Sequence, residues 1–245
     1  MGELLEIRGV DVSAGEAPIL HGVDLRIRAG EMHVLFGPNG SGKSSLLAAI
    51  MGLPPFVVTR GEILFRGERI EALAIDERAR RGIGMAFQRP PALDGVTVHA
   101  LAGALGASKA LRLEADALDL GLAQFAHRDI NAGFSGGEVK RWEILKLFLQ
   151  QPDLLLFDEP ESGVDLEHIA SVGAAIGRLM HGSGKPHAGL VITHTGFILD
   201  YIEADAGHIM ANGRIVHSGN PRELFRHIRH HGYTAPPAPA EAARA

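Results

Sequence analysis

The stretch Phe36-Gly37-Pro38-Asn39-Gly40-Ser41-Gly42-Lys43-Ser44 fits G-x-x-x-x-G-K-[ST], a pattern whose chemistry is the holding of nucleotide phosphates. Its glycines let successive backbone N–H groups point inward as an anion nest. A helix opening at the same point adds unpaired N–H groups and its positive end. Lys43 suits the β- and γ-phosphates, and Ser44 suits Mg²⁺. The expected nucleotide contacts run through Gly37, Pro38, Asn39, Gly40, Ser41, Gly42, Lys43, Ser44 and Ser45. A Gly-rich turn with a solvated lysine is the bland alternative, and the apolar run Met32–Phe36 before the loop argues against it.

Four further signals complete a possible hydrolytic site. Leu154-Leu155-Leu156-Phe157 delivers Asp158 and Glu159 to the end of a buried strand. Asp158 would hold Mg²⁺ directly or through water, and Glu159 is placed to orient or deprotonate the attacking water. Two solvated acids in a turn explain that dipeptide alone, but not beside a phosphate loop. Ser135-Gly136-Gly137-Glu138 reads as a helix start with a hydroxyl and successive N–H groups, a second anion site. One phosphate loop needs no second anion site within its own chain, which hints at two chains sharing nucleotides; alone, Ser-Gly-Gly is more often a turn and cap. Gln88 ends an apolar strand before Pro90-Pro91 and could touch Mg²⁺ or the attacking water, although a lone strand-end Gln is usually surface. His194 follows another such strand and could meet the γ-phosphate, yet it is one of 13 histidines. The helical spacing of His227, His230 and His231 suggests a metal less than a solvated terminal helix.

These residues need strands and helices to bring them together. Leu4–Val12 and Val23–Arg28 alternate as strands; Met32–Phe36, Gly61–Phe65, Ile83–Phe87, Leu154–Phe157 and Gly189–Thr193 read as further strands. Helices are expected over Ser44–Gly52, Asp76–Arg81, Gly137–Leu149, Leu166–Met180 and Pro221–His230, with a loop over His181–Pro186. The Ala- and Leu-rich span from Val96 to about Gln124 reads as helical, and Asn212-Gly213 as a hairpin turn. Helices alternating with apolar strands imply an α/β fold with a mainly parallel sheet.

Composition sets outer limits. The 245 residues suffice for one domain or a domain with a subdomain. A net charge of −5 gives no argument for nucleic acid, and no apolar run reaches the roughly 20 residues of a spanning helix. With no basic leader-like start and no cysteine, a cytoplasmic location without disulfides is the expectation.

In order and content, these motifs resemble the ATP-binding-cassette (ABC) ATPases over residues 3–233. The resemblance makes Gly37–Ser44 the Walker A segment, Gln88 the Q-loop, Phe134–Glu138 the signature, Leu154–Glu159 Walker B, Ser162-Gly163-Val164-Asp165 the D-loop and His194 the switch. It implies a P-loop NTPase with a RecA-like, mainly parallel core, an N-terminal antiparallel β subdomain and an inserted helical subdomain over about 90–150. The tail over 234–245 is Pro/Ala-rich without core-forming residues, and disorder is expected there. It also implies ATP and Mg²⁺, and two copies paired head to tail so that Ser135, Gly136 and Gly137 of one close on the nucleotide held by the other. Glu159 is then the general base and His194 the γ-phosphate contact.

A narrower resemblance concerns Phe134-Ser135-Gly136-Gly137-Glu138-Val139-Lys140-Arg141-Trp142-Glu143-Ile144-Leu145, the acid-Ser-Gly of Glu161-Ser162-Gly163, the segment Thr193–Ile202 and the ending Gly232-Tyr233. These look like the SufC family, soluble ATPases of the SUF iron–sulfur cluster assembly machinery, and imply SufB-like and SufD-like scaffold partners that carry the cluster ligands. Pro160 is the transporter-like choice, Val139 and Trp142 are unusual, and Ala14 stands where many cassettes stack an aromatic on adenine. The alternative is the nucleotide-binding subunit of a membrane transporter; a non-hydrolysing regulator is opposed by the intact Glu159.

Overall fold

Three wholly buried runs set the centre of the molecule. Met32–Phe36 (β3), Leu154–Asp158 (β9) and Ala188–Thr193 (β10) are buried along their whole length, the mark of parallel strands covered on both faces. The structure, a computed structural model, describes residues 2–106, 127–181 and 186–234. These strands share a six-stranded sheet with Ile83–Ala86 (β6), Ala206–Ala211 (β11) and Arg214–Gly219 (β12), in the order β12-β11-β3-β10-β9-β6. All neighbours are parallel except the β11–β12 hairpin. Asn212 and Gly213 turn that hairpin at φ 47° and 72°, as the dipeptide predicts.

Side-chain alternation sends β3 into two cores. Val34 and Phe36 pack with Leu155, Phe157 and Val191 under the helices Gly136–Gln150 (α4) and Leu166–His181 (α5). Leu35 faces the other way, with Leu154, Leu156, Leu190 and Ile192, against the helix Lys43–Met51 (α1) and an antiparallel sheet. That second sheet holds Ala17–Arg28 (β2), Glu3–Ala14 (β1), Phe56–Phe65 (β4) and Glu68–Arg69 (β5), in that order.

Several expected boundaries move. The first two strands are longer than their alternation suggests because bulges break the period. The register shifts between Ile7 and Val10, where Gly9 has φ 54° and its N–H donates to Asp24 Oδ1 at 2.9 Å. Val96 is not helical: Leu93–Thr97 (β7) pairs with Asp129–Ile130 (β8), and Thr97 caps the helix Val98–Ala104 (α3) by accepting from Ala100 N at 3.1 Å. The remaining Ala/Leu-rich residues 107–126, the loop residues 182–185 and the tail residues 235–245 lie outside the described residues. A 3-10 turn, Phe197–Asp200, follows β10 where no element is expected. The short helix Ile75–Arg80 (α2) and the last helix, Pro221–His231 (α6), fall where proposed, the latter capped by Asn220 and opened by Pro221. Among the described residues no helix is long and apolar enough to cross a membrane.

Candidate active site

Because β3, β10, β9 and β6 are consecutive neighbours in one sheet, the residues after their C-terminal ends meet at one edge. That edge carries the loop after Phe36, then Thr193-His194, Asp158-Glu159 and Gln88. A cleft of about 640 Å³ opens there, walled by Asn39, Gly40, Gly42, Lys43, Ser44, Ser45, Gln88, Glu159, Ser162 and His194. Its apolar wall is Ile19; Ala14, the sequence's candidate for the base-stacking position, does not line it.

The loop's glycines answer to steric need. A Cβ on Gly37 would come within 2.5 Å of Met210 O, and one on Gly42 within 2.6 Å of Leu20 Cδ2, with Gly42 at φ 105°. Gly42 caps α1 without a side-chain hydrogen bond, so the N–H groups of the first turn face the cleft's anion site. The buried Ser41 Oγ has no hydrogen-bond partner among the described residues. Lys43 Nζ donates to Gly37 O at 2.8 Å and Pro38 O at 3.0 Å, an ammonium held inside its own loop. Burial lowers its pKa, and Glu159 and Asp158 pull it back up.

Ser44 Oγ donates to Asp158 Oδ1 at 3.0 Å. Burial holds the Asp158 carboxyl above its ordinary range; the Ser44 hydrogen bond opposes this, and the neighbouring charge of Glu159 adds to it. A hydroxyl donating to a buried carboxylate is an all-oxygen donor set that fits Mg²⁺. Glu159 stands at φ 48°, a region that non-glycine residues seldom adopt. Its Oε2 accepts from Gln88 Nε2 at 2.5 Å, and its Oε1 lies 3.0 Å from His194 Nδ1. The latter contact is close enough for an ion pair but lacks hydrogen-bond alignment. So Gln88, Glu159 and His194, three separate sequence signals, are one cluster.

Ser135, Gly136 and Gly137 do not join it. They open α4, with Ser135 and Gly136 exposed. Ser135 Oγ accepts from Glu138 N at 3.3 Å, while Glu138 Oε2 accepts from Ser135 N at 2.8 Å, a reciprocal capping box. Gly136 is backed by the 162–165 loop: a Cβ there would lie 2.6 Å from Gly163 O. On the terminal helix, His227 Nε2 sits 3.1 Å from Thr234 O, and the His227 and His231 rings are 4.8 Å apart.

Sequence reasoning missed the buried charges behind the site. Lys140 Nζ donates to Gln88 O at 2.9 Å and reaches Phe87 O and Asp158 O at 3.4 and 3.5 Å. Glu143 Oε2 accepts from Phe87 N at 2.8 Å and both its oxygens accept from Lys146. One helix thus holds the strand ends that carry Gln88 and Asp158. No local signal marked Lys140 and Glu143, because the same helix also carries Glu138, Arg141, Lys146 and Gln150.

The chain matches the family described as ABC transporter over residues 20–162. It is 39% identical to a probable ABC transporter ATP-binding protein of Streptococcus pyogenes, covering 94% of this chain and 93% of the relative. It is 40% identical to a probable ATP-dependent transporter, ycf16, of Pyropia yezoensis, over 94% and 96% of the two chains. Vegetative protein 296 of Bacillus subtilis is 37% identical over 94% of this chain and 91% of its own. Among solved structures, an ATP-binding cassette of an ABC transporter in its ADP conformation superposes with a TM-score of 0.74 at 25% identity, covering 93% of this chain and 95% of the other.

Proposed function

Since the chain belongs to the ABC transporter family, as its ATP-hydrolysing subunit, we propose that it powers iron–sulfur cluster assembly on a SufB-like or SufB/SufD-like scaffold, in the cytoplasm, through ATP-driven head-to-tail pairing of two copies. The observation that carries this reading is where the SufC-like residues sit. Glu161, the acid of the acid-Ser-Gly segment, is 4% exposed and accepts the hydroxyl of Thr195 at 2.9 Å and that of Thr193. Tyr233, from the Gly-Tyr ending, donates to His194 O at 2.7 Å. Two of the SufC-like residues, Glu161 and Tyr233, therefore hold the turn that carries His194.

In the proposed reaction, Lys43 leaves its loop carbonyls for the β- and γ-phosphates, and the N–H groups of residues 40–45 neutralise phosphate charge. Ser44, Asp158 and Gln88 would hold Mg²⁺, which supplies charge neutralisation between the phosphates. Glu159 accepts the proton of the attacking water. His194, 3.0 Å from Glu159, contacts the γ-phosphate. The Ser135-Gly136-Gly137 helix start, exposed at Ser135 and Gly136, supplies donors to the nucleotide of the second copy, since it lies outside the cleft of its own chain.

A second reading, the nucleotide-binding subunit of a membrane transporter, is favoured by Pro160 and by relatives named as transporter ATP-binding proteins. Isolation at natural abundance with membranes retained separates the two. SufB-like peptides in stoichiometric yield are the expected result; a permease in their place overturns the assembly reading.

A further inference from the structure

The turn that carries His194 is held by groups that phosphate binding does not use. Thr193 Oγ1 accepts from Thr195 N at 3.2 Å and Gly196 N at 2.9 Å, closing the chain around His194. Both hydroxyls that flank the histidine, those of Thr193 and Thr195, donate to the same oxygen, Glu161 Oε1. Tyr233 also donates to the His194 carbonyl, at 2.7 Å. The other carboxylate oxygen, Glu161 Oε2, is buried and has no hydrogen-bond partner among the described residues. A half-satisfied buried carboxylate costs stability that an apolar residue in that place would not. Departures of this kind concentrate where function requires them.

We propose that Glu161 is a positioning residue for ATP hydrolysis: through the Thr193 and Thr195 hydroxyls it sets His194 against Glu159 and ties the switch turn to the 162–165 loop. Glu161 stands at the junction. Its own carbonyl accepts from Val164 N at 3.2 Å, the next residue Ser162 lines the nucleotide cleft, and Gly163 backs Gly136 at the exposed helix start. A shift of that loop on closure therefore reaches His194 through one carboxylate. This rests on the reading of His194 as the γ-phosphate contact.

The test is a double-mutant cycle on the full-length ATPase, with kcat and KM for ATP measured separately and folding checked by thermal melting. Glu161→Ala is expected to lower kcat by about tenfold or more while KM stays within about twofold, the pattern of lost transition-state alignment. Glu161→Gln, which keeps an accepting oxygen, recovers most of that loss, and Thr195→Val falls between. In an H194A background, Glu161→Ala costs less than about twofold, because a residue acting through His194 has nothing left to position. Full additivity with a deleterious H194A overturns this proposal alone, as does an unchanged kcat or a loss confined to KM. An H194A enzyme with normal turnover overturns the histidine's role and this proposal with it. Should Glu161→Ala not fold, Thr195→Val in the same cycle decides by the same criteria.

Discussion

At the scale of single residues, the proposed reaction puts most of the chemistry on Glu159, which is already held at the cleft. Its φ of 48° and its contacts with Gln88 and His194 fix the carboxylate at the cleft before nucleotide arrives. Glu159→Gln should cut kcat by about 10²–10⁴-fold while ATP binding persists, as loss of a general base does; single-turnover kinetics beside equilibrium ATP binding would check it. Asp158 pays a different cost. A carboxyl raised by burial carries no penalty below the unfolded value of 3.8 and the full penalty above its raised folded value. Asp158→Asn should therefore raise the melting temperature of the nucleotide-free protein at pH 7.5 and abolish turnover; a lowered melting temperature would contradict the burial argument. The motif residues Lys43, Ser44, Asp158 and Glu159 were legible in the sequence because backbone geometry and charge leave few other residue types. Lys140 and Glu143 were not, because nothing local says that a charged residue will be buried against the backbone of another strand.

At the scale of elements, two devices hold the frame. Helix α4 begins at the Ser135–Glu138 capping box and ends by carrying Lys140 and Glu143 against the strands of the site. Ser135→Ala should cost about 1 kcal/mol of stability through the cap, yet lower turnover far more, which denaturation and ATPase assays on one preparation would separate. At the opposite end of the sheet, His33 Nδ1 lies 3.0 Å from His208 Nε2, between Glu31 on one side and Ser218 Oγ on the other. Burial, then the nearby His33, pushes His208 down to about 4. A histidine lowered on folding contributes stability that is complete above the unfolded value of 6.5 and is lost as pH falls toward the folded one. The chain should be about 2 kcal/mol less stable at pH 5 than at pH 7 through this residue, and His208→Gln should flatten that slope in urea titrations. The bulged strands and β7 escaped the periodicity because their register is set by partners distant in sequence, Asp24 for Gly9 and residues 129–130 for β7.

At the scale of the whole molecule, one chain holds a phosphate cleft at the sheet edge and a separate exposed donor site at the start of α4. ABC ATPases pair and work with further subunits, and in the head-to-tail pair proposed above the start of α4 would close on the partner's cleft. Glu159→Gln with ATP and Mg²⁺ should sediment at twice the subunit mass, and adding Ser135→Arg should return it to one; a single-subunit mass for Glu159→Gln under saturating ATP would oppose head-to-tail closure.

From the sequence alone came the phosphate-loop motif, the carboxylate pair, the helix start at Ser135 and the α/β class, since each depends on residue type and spacing within a short stretch. Tertiary structure alone decided that Gln88, Glu159 and His194 form one cluster, that Ile19 and not Ala14 walls the cleft, and that Glu161 and Tyr233 grip the switch turn. Those contacts join residues from 32 to 71 positions apart or more, and which distant side chains meet is determined by strand order in the sheet, a property of the packed core and not of any local run.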